Sequence, residues 1–275
     1  MSADEPLYDV RGPKLLGEMT SPEVADVLEQ SSLAIIAAGS TEQHGPHLPL
    51  WTDAFSGETL CRRVIARLRE EGQTAVGTVI PYAPTSDRMR WPGTLTVSND
   101  TFLALARDIG RSLFRHGFRR QVWLVCHLDS YGPLLVAARD LVDELGAQAA
   151  VLWGWLRAGD YDARHDLSTA ESPGADGHAG EMETSRVLVS HPGLVDESRM
   201  GSYFPEGAKE KIPFDELVLN GGALFAPPAD FGEVSPAGFV GRADLATAEK
   251  GEREFELAVD WICRVIRRDF LVSRS

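Results

Sequence analysis

The chain has 275 residues, enough to bury a full core in one large domain, and its 27 basic against 41 acidic side chains leave a net charge of −14. That sign repels phosphate backbones and anionic head groups and so disfavours nucleic-acid and membrane-surface partners. No apolar run approaches the ~20 residues of a membrane span, and the start Met1 to Pro6 has neither the basic nor the apolar part of a secretory signal, so a cytoplasmic protein is expected.

In chain order, Ser21-Pro22-Glu23 reads as an N-cap, a proline at the first helical position and an acidic first turn, opening a helix to about Gln30. Leu33 to Ala38 is continuously apolar, as in a strand covered on both faces. Residues 54–70 carry Leu60, Val64, Ile65 and Leu68 at helical spacing, and a Val/Ile-rich strand is expected near 74–80. The loop 82–94 follows. Ser98-Asn99-Asp100 caps a helix whose buried side carries Phe102, Leu103, Leu105, Ile109 and Leu113, closed by Gly117. A strand over Gln121–Cys126, a helix over 132–145 and a strand over 148–154 complete a β-α-β-α-β rhythm. This predicts a three-layer α/β/α fold with a mostly parallel central sheet. Residues 157–178 form a polar connection expected to act as a lid. A short helix over about Gly180–Ser190, a Pro/Gly-rich stretch over 192–243 and an amphipathic helix over about Leu245–Phe270 finish a single domain spanning 1–275. Cys61, Cys126 and Cys263 lack metal-type spacing and are expected as buried free thiols.

The chemistry concentrates in residues 40–53, Ser-Thr-Glu-Gln-His-Gly-Pro-His-Leu-Pro-Leu-Trp-Thr-Asp, directly past the first strand. Glu42, His44 and Asp53 offer oxygen and imidazole donors suited to Zn²⁺ or Mn²⁺, with no cysteine nearby to favour a softer ion. In a parallel sheet, ligands bind beyond the carboxyl ends of the strands, and His127 reaches that same edge from the third strand. His47 is read as packing or hydrogen-bonding behind the donors, and His116, His165 and His191 as solvated. Trp153 and Trp155, flanking Gly154, are expected on one face of the strand, with core packing the simpler role and Trp155 a candidate pocket wall.

Three segments together resemble the creatininase (creatinine amidohydrolase) family: Ser40 to Leu50 with Asp53, His178-Ala-Gly-Glu-Met-Glu-Thr-Ser, and Ala246-Thr-Ala-Glu-Lys-Gly-Glu. The resemblance implies an amidohydrolase with two divalent ions, Zn and/or Mn, acting on a small-molecule substrate and assembled as a homo-oligomer such as a hexamer. Carried onto this chain, it gives Glu42, Asp53 and His127 to one ion and His44, Asp53 and a further carboxylate to the other, with Asp53 bridging. Asp129, Glu183 or both complete the second set. His178 matches the catalytic histidine that protonates the departing nitrogen after a metal-activated water attacks an amide, lactam or formamide.

The chain departs from the pattern where creatininase carries a tyrosine and a tryptophan over its substrate. Leu128 and Gly174 stand there, so creatinine is not the expected substrate. Trp91-Pro-Gly-Thr94 fits the family's Phe-Pro-Gly-Thr, whereas Thr85, Ser86 and Arg88 fall in a divergent stretch that brings Arg88, and with it Arg90, toward the cleft. They and Trp155 are the candidate substrate contacts, with the arginine read either as the partner of an anionic group or as a solvated loop charge. The family also holds a peptidase that matures a peptide-derived cofactor and relatives that open cyclic ketones at a C–C bond. Those activities, and an inactive scaffold role, stay open here.

Overall fold

The computed structural model describes residues 12–155, 176–205 and 229–271. Four parallel strands, β1 (Leu33–Ala38), β2 (Val76–Ile80), β3 (Arg120–Val125) and β4 (Gln148–Trp153), lie in the order β2-β1-β3-β4. Helices α1 (Ser21–Leu28), α2 (Thr52–Glu70), α3 (Asn99–His116) and α4 (Tyr131–Leu145) precede or connect them, followed by α5 (Glu181–Ser190) and α6 (Ala248–Ile266). The mostly parallel sheet with helices on both faces is the predicted architecture.

Side-chain alternation along β1 builds the layers. Leu33, Ile35 and Ala37 join Val122 and Leu124 of β3 against α2 and α6, through Leu60, Val64, Phe255 and Ile262. Ala34, Ile36 and Ala38 face the other way with Trp123 and Val125, onto Phe102 and Ala106 of α3 and Leu134 and Ala137 of α4. Both faces of the sheet are therefore covered, which is why β1 reads as an unbroken apolar run. The three cysteines are buried free thiols.

Strand order places the site. The chain steps from β1 to β2 on one side and later returns to lay β3 on β1's other side, so the loops leaving β1 and β3 diverge at a topological switch point. Ala38 fixes that crevice, its carbonyl accepting the amides of Cys126 at 2.9 Å and His127 at 3.2 Å. Gly39 packs so tightly on the start of α2 that a Cβ there would lie 2.6 Å from the Ala54 nitrogen.

Several local expectations change. Thr20, not Ser21, caps α1, its hydroxyl and amide meeting Glu23, and the helix stops at Leu28. Strand β4 ends at Trp153, so the two-residue alternation fails there. Trp153 packs on Tyr131 on one face of the sheet while Trp155 meets Phe255 on the other. His191 is buried and stacked on Phe55 at 3.9 Å between ring centroids, because the end of α5 lies against α2, whereas His116 is exposed as expected. His165 and nearly all of the expected lid, 157–178, lie outside the described residues. Among the described residues no helix is long and apolar enough to cross a membrane.

Candidate metal centre

The loop from Ser40 to Trp51 is folded by its own backbone and braced by a neighbour. The Glu42 amide donates to the Leu50 carbonyl at 3.0 Å, and His44 bridges Leu48. Thr94 of the Trp-Pro-Gly-Thr segment accepts the Gln43 amide at 3.1 Å, and the Leu95 amide donates to the Thr41 carbonyl at 2.9 Å. Glu42, His44 and Asp53 are thereby buried together. Asp53 occupies the first turn of α2 and Glu183 the first turn of α5, where the helix N-terminus favours a carboxylate.

Asp53 divides its two oxygens. Oδ1 lies 3.4 Å from His44 Nε2, and Oδ2 lies 3.2 Å from His127 Nδ1 and accepts Ser40 Oγ at 2.9 Å. Glu42 Oε1 stands 3.4 Å from His127 Nδ1, and Glu183 Oε2 stands 3.6 Å from His44 Nε2. Two donor sets result, Glu42–Asp53–His127 and His44–Asp53–Glu183, and each could hold a metal ion; Glu42, His44 and His178 form a third grouping of donors.

Neighbouring groups already hold these side chains in place. The His127 Nε2–H donates to the Pro84 carbonyl at 2.8 Å and the His44 Nδ1–H to the Glu42 carbonyl at 3.1 Å, so both rings turn their other nitrogen inward. The Thr85 hydroxyl donates to Glu42 Oε2, and the Ala179 amide to Glu183 Oε2 at 2.7 Å. His44 Nε2 is buried, has no hydrogen-bond partner and faces three carboxylates. An orphaned imidazole nitrogen in an acidic cage fits a divalent cation.

Electrostatics agree. Burial alone would lower His44, but the Asp53 carboxylate, then Glu183 and Glu42, lift it to about 9; Glu42 and Asp53 raise His127 in the same way against burial. Burial would raise the Glu42 carboxyl, and the charges of Arg88 and then His127 overturn that and hold it well below the carboxylate range. Without an ion, a proton on His44 takes its place. That proton stabilises the metal-free fold fully below the ordinary value of 6.5, and the contribution disappears as pH rises through about 9. A cation must displace it, so the stabilisation by Mn²⁺ is expected to grow between pH 6.5 and 8.5, by up to ~1.4 kcal/mol per pH unit for this proton, and with it the rise in melting temperature. Thermal melts at the two pH values, with and without Mn²⁺, check this; an equal shift at both would count against proton competition.

His178 lies beside the donors, its ring 4.3 Å from that of His44. Its Nε2–H donates to the Gln43 carbonyl at 2.8 Å, with the Gln43 side chain at 3.2 Å, which leaves Nδ1 3.7 Å from Glu42 Oε1. Burial first, then the charges of Arg88 and His44, push His178 well below its ordinary value, so the ring is neutral at pH 7. Ala179 beside it takes a left-handed φ of 52°, a conformation that costs a residue with a Cβ roughly 1–2 kcal/mol and here helps aim the ring.

A cavity of about 250 Å³ opens on the donors, lined by Arg88, Asp129, Trp153, Trp155, His178 and Arg186 among others. Of the predicted substrate contacts, Arg88 and Trp155 lie on its wall. Thr85 is buried behind Glu42 and Ser86 is exposed outside the cavity lining. Arg90 points outward to Asp230 at 3.6 Å. Asp129 also lines the cavity, but its carboxylate is 3.9 Å from the far nitrogen of His127 and belongs to none of the donor sets, whereas Glu183 completes one. His47 sits behind the donors, its Nε2 2.9 Å from Thr184 Oγ1, and burial first, then the His44 charge, lower it to about 4.

Ser40, Gln43 and Arg186 are the participants that sequence reasoning did not single out. Arg186, 3% exposed, places Nη2 3.3 Å from Glu183 Oε1 and Nη1 3.3 Å from both oxygens of Glu254, with its guanidinium 4.2 Å from the Trp155 ring. Removing it would take away a buried cation that both acids share. Arg186→Leu is expected to destabilise the fold by about 3–5 kcal/mol in denaturant titrations, the range for breaking a buried ion pair from one side.

Comparison with known proteins adds an independent line. The family described as "Creatininase: Creatinine amidohydrolase" matches residues 17–266. The chain is 31% identical over 267 residues to the mycofactocin precursor peptide peptidase of Mycobacterium tuberculosis (strain ATCC 25618 / H37Rv), covering 95% of this chain and 94% of the relative. It is 30% identical to the creatinine amidohydrolase of Pseudomonas putida, covering 93% and 96%. A solved mutant creatininase of the Zn-Zn type superposes with a TM-score of 0.74 at 26% identity, covering 93% of this chain and 98% of that one.

Proposed function

The chain belongs to the creatininase family, and on that premise we propose that it is a dinuclear-metal hydrolase that cleaves the C–N bond of a small amide, lactam or formamide. The observation that carries this reading is Asp53, which offers one oxygen to each of two donor sets. Two dications a few Å apart need negative charge between them, and a shared carboxylate supplies it. Glu42 and His127 would hold one ion and His44 and Glu183 the other, with Zn²⁺ or Mn²⁺ suiting this oxygen and imidazole set. When bound, such a pair polarises a carbonyl and lets a water lose its proton near neutral pH.

The protein's own groups do the rest. Thr85, Ser40 and the Ala179 amide fix the donor oxygens, so little reorganisation is needed as charge develops. His178, neutral and anchored through Nε2 on the Gln43 carbonyl, turns Nδ1 toward the reacting centre. There it takes the proton of the attacking water and returns it to the leaving nitrogen. Trp153 and Trp155 exclude water from the far wall.

Peptide hydrolysis is favoured by the relative that is a peptidase, but the cavity's size favours a small substrate. About 250 Å³ lies just below the ~300–1,000 Å³ typical of small-molecule sites. Leu128 at the mouth, 38% exposed, presents no polar group to a creatinine ring. The chain is proposed to work as a homo-oligomer. The decisive experiment is metal analysis of the purified protein with a turnover screen against lactams, formamides, short peptides and cyclic diketones. Turnover of lactams or formamides with about two ions per chain is expected. Cleavage confined to peptides or to diketones would replace this reading with a peptidase or a C–C hydrolase.

A further inference from the structure

Arg88 is committed on one side and open on the other. Its side chain is only 13% exposed, an unusual burial for a guanidinium. Nη1 donates to both oxygens of Asp87 at 2.7 Å, and Cζ lies 5.0 Å from the centroid of the Phe231 ring. Clamped by the acid and the aromatic face, the guanidinium presents a fixed edge where it lines the cavity.

On that edge Nε is buried without any hydrogen-bond acceptor. Glu42 does not supply one. Its Oε1 is 3.5 Å from Nε and turned toward the inward nitrogens of His127 and His178, while Oε2 is taken by Thr85. A buried donor left unpaired costs roughly 1–3 kcal/mol, and more when it carries charge. A rigid cationic edge that has an ion-pair neighbour but no hydrogen-bond acceptor, at a cavity wall, is what a site built for a ligand's anionic oxygen looks like.

We propose that this cavity takes an amide whose carbon skeleton also carries a carboxylate, and that Arg88 binds that carboxylate through its Nε edge, an inference that rests on the amidohydrolase reading above. Asp129 faces the same cavity and sets the orientation, because a carboxylate is repelled from its side and drawn to Arg88. Glu42 offsets part of the guanidinium charge across 3.5 Å, and an ion in its donor set would draw that carboxylate away from the edge.

Matched probes test this on the full-length, metal-loaded chain: N-formylglycine against N-formylglycinamide, and 5-oxoproline against its carboxamide. Each pair shares the scissile bond and differs in the charge. The acid is expected to exceed the amide by roughly 10- to 100-fold in kcat/KM, and in calorimetric affinity where turnover is slow, the range for a hydrogen bond to a charged group. Arg88→Gln should bring that ratio to about one. Arg88→Lys, which keeps a cation beside Asp87 but loses the fork, should retain part of it and guards against misfolding as the cause. An equal ratio in the wild-type chain, binding of neither acid, or a preference that survives Arg88→Gln and so belongs to the ions, overturns the inference. Turnover of only the neutral members overturns it while leaving the amidohydrolase reading intact, whereas a chain without metal and without turnover of any lactam or formamide brings down that reading itself.

Discussion

Asn in place of Asp53 is expected to empty both metal positions at once and to abolish turnover. Each oxygen of Asp53 faces a different histidine, at 3.4 and 3.2 Å, and the second also holds the Ser40 hydroxyl. The amide keeps the shape but places an NH₂ where one acceptor stood and removes the negative charge between two cations. The loss should exceed the ~10- to 100-fold typical of a residue that only supports a ligand, and Ser40→Ala, which removes such support, should stay within that range. The fold should survive. Losing a carboxylate from the first turn of α2 costs about 0.3–1 kcal/mol through the helix dipole, and without an ion it also removes the partner of the protonated His44 and His127, which against burial hold Asp53 well below the usual carboxylate range. Elemental analysis beside a thermal melt separates the two effects: a folded Asp53→Asn protein with both ions retained would remove the basis for a shared carboxylate.

Much of this site is written locally, and the missing part is written in contacts between distant segments. Leu33 to Ala38 and Val122 to Val125 announce strands because both sheet faces are covered, and their carboxyl ends put Glu42, His44 and His127 on one edge. The role of Thr85 was not legible, since the loop carrying it has no periodicity and its hydroxyl meets Glu42 across 43 positions of chain. Arg186 carries no mark of its own in the sequence. A signal did exist on the partner helix, where Lys250 and Glu254 interrupt a face otherwise made of Phe255, Ala258 and Ile262. Two charges on an apolar face call for partners, and α5 supplies Glu181 and Arg186. The Ala246 to Glu252 motif thus serves packing: Lys250 pairs with Glu181, Glu252 meets Arg63, and Gly251 lets α6 approach the Ser185 carbonyl more closely than any Cβ would allow.

Ala in place of His178 is expected to do the reverse of the Asp53 change, leaving metal content near that of the wild type while cutting kcat by roughly 10²–10⁴, the contribution of one general acid–base group. The separation follows from position. His178 shares a donor grouping with Glu42 and His44 but lies outside the two sets joined by Asp53, and its Nε2 is spent on the Gln43 carbonyl. Its low proton affinity fits the same role, because burial and the neighbouring charges of Arg88 and His44 keep the ring neutral, and ions in the donor sets would repel a proton further. The acidic limb of the rate profile should therefore not fall at the ordinary histidine value of 6.5 on account of His178; it should track the competition of protons with metal at His44 and move when the metal concentration is raised. Loss of an ion in the His178→Ala protein, or a wild-type acidic limb fixed at that ordinary value whatever the metal concentration, would make this histidine a ligand or an ordinary titrating base instead of the buried proton carrier that its two hydrogen-bonding faces describe.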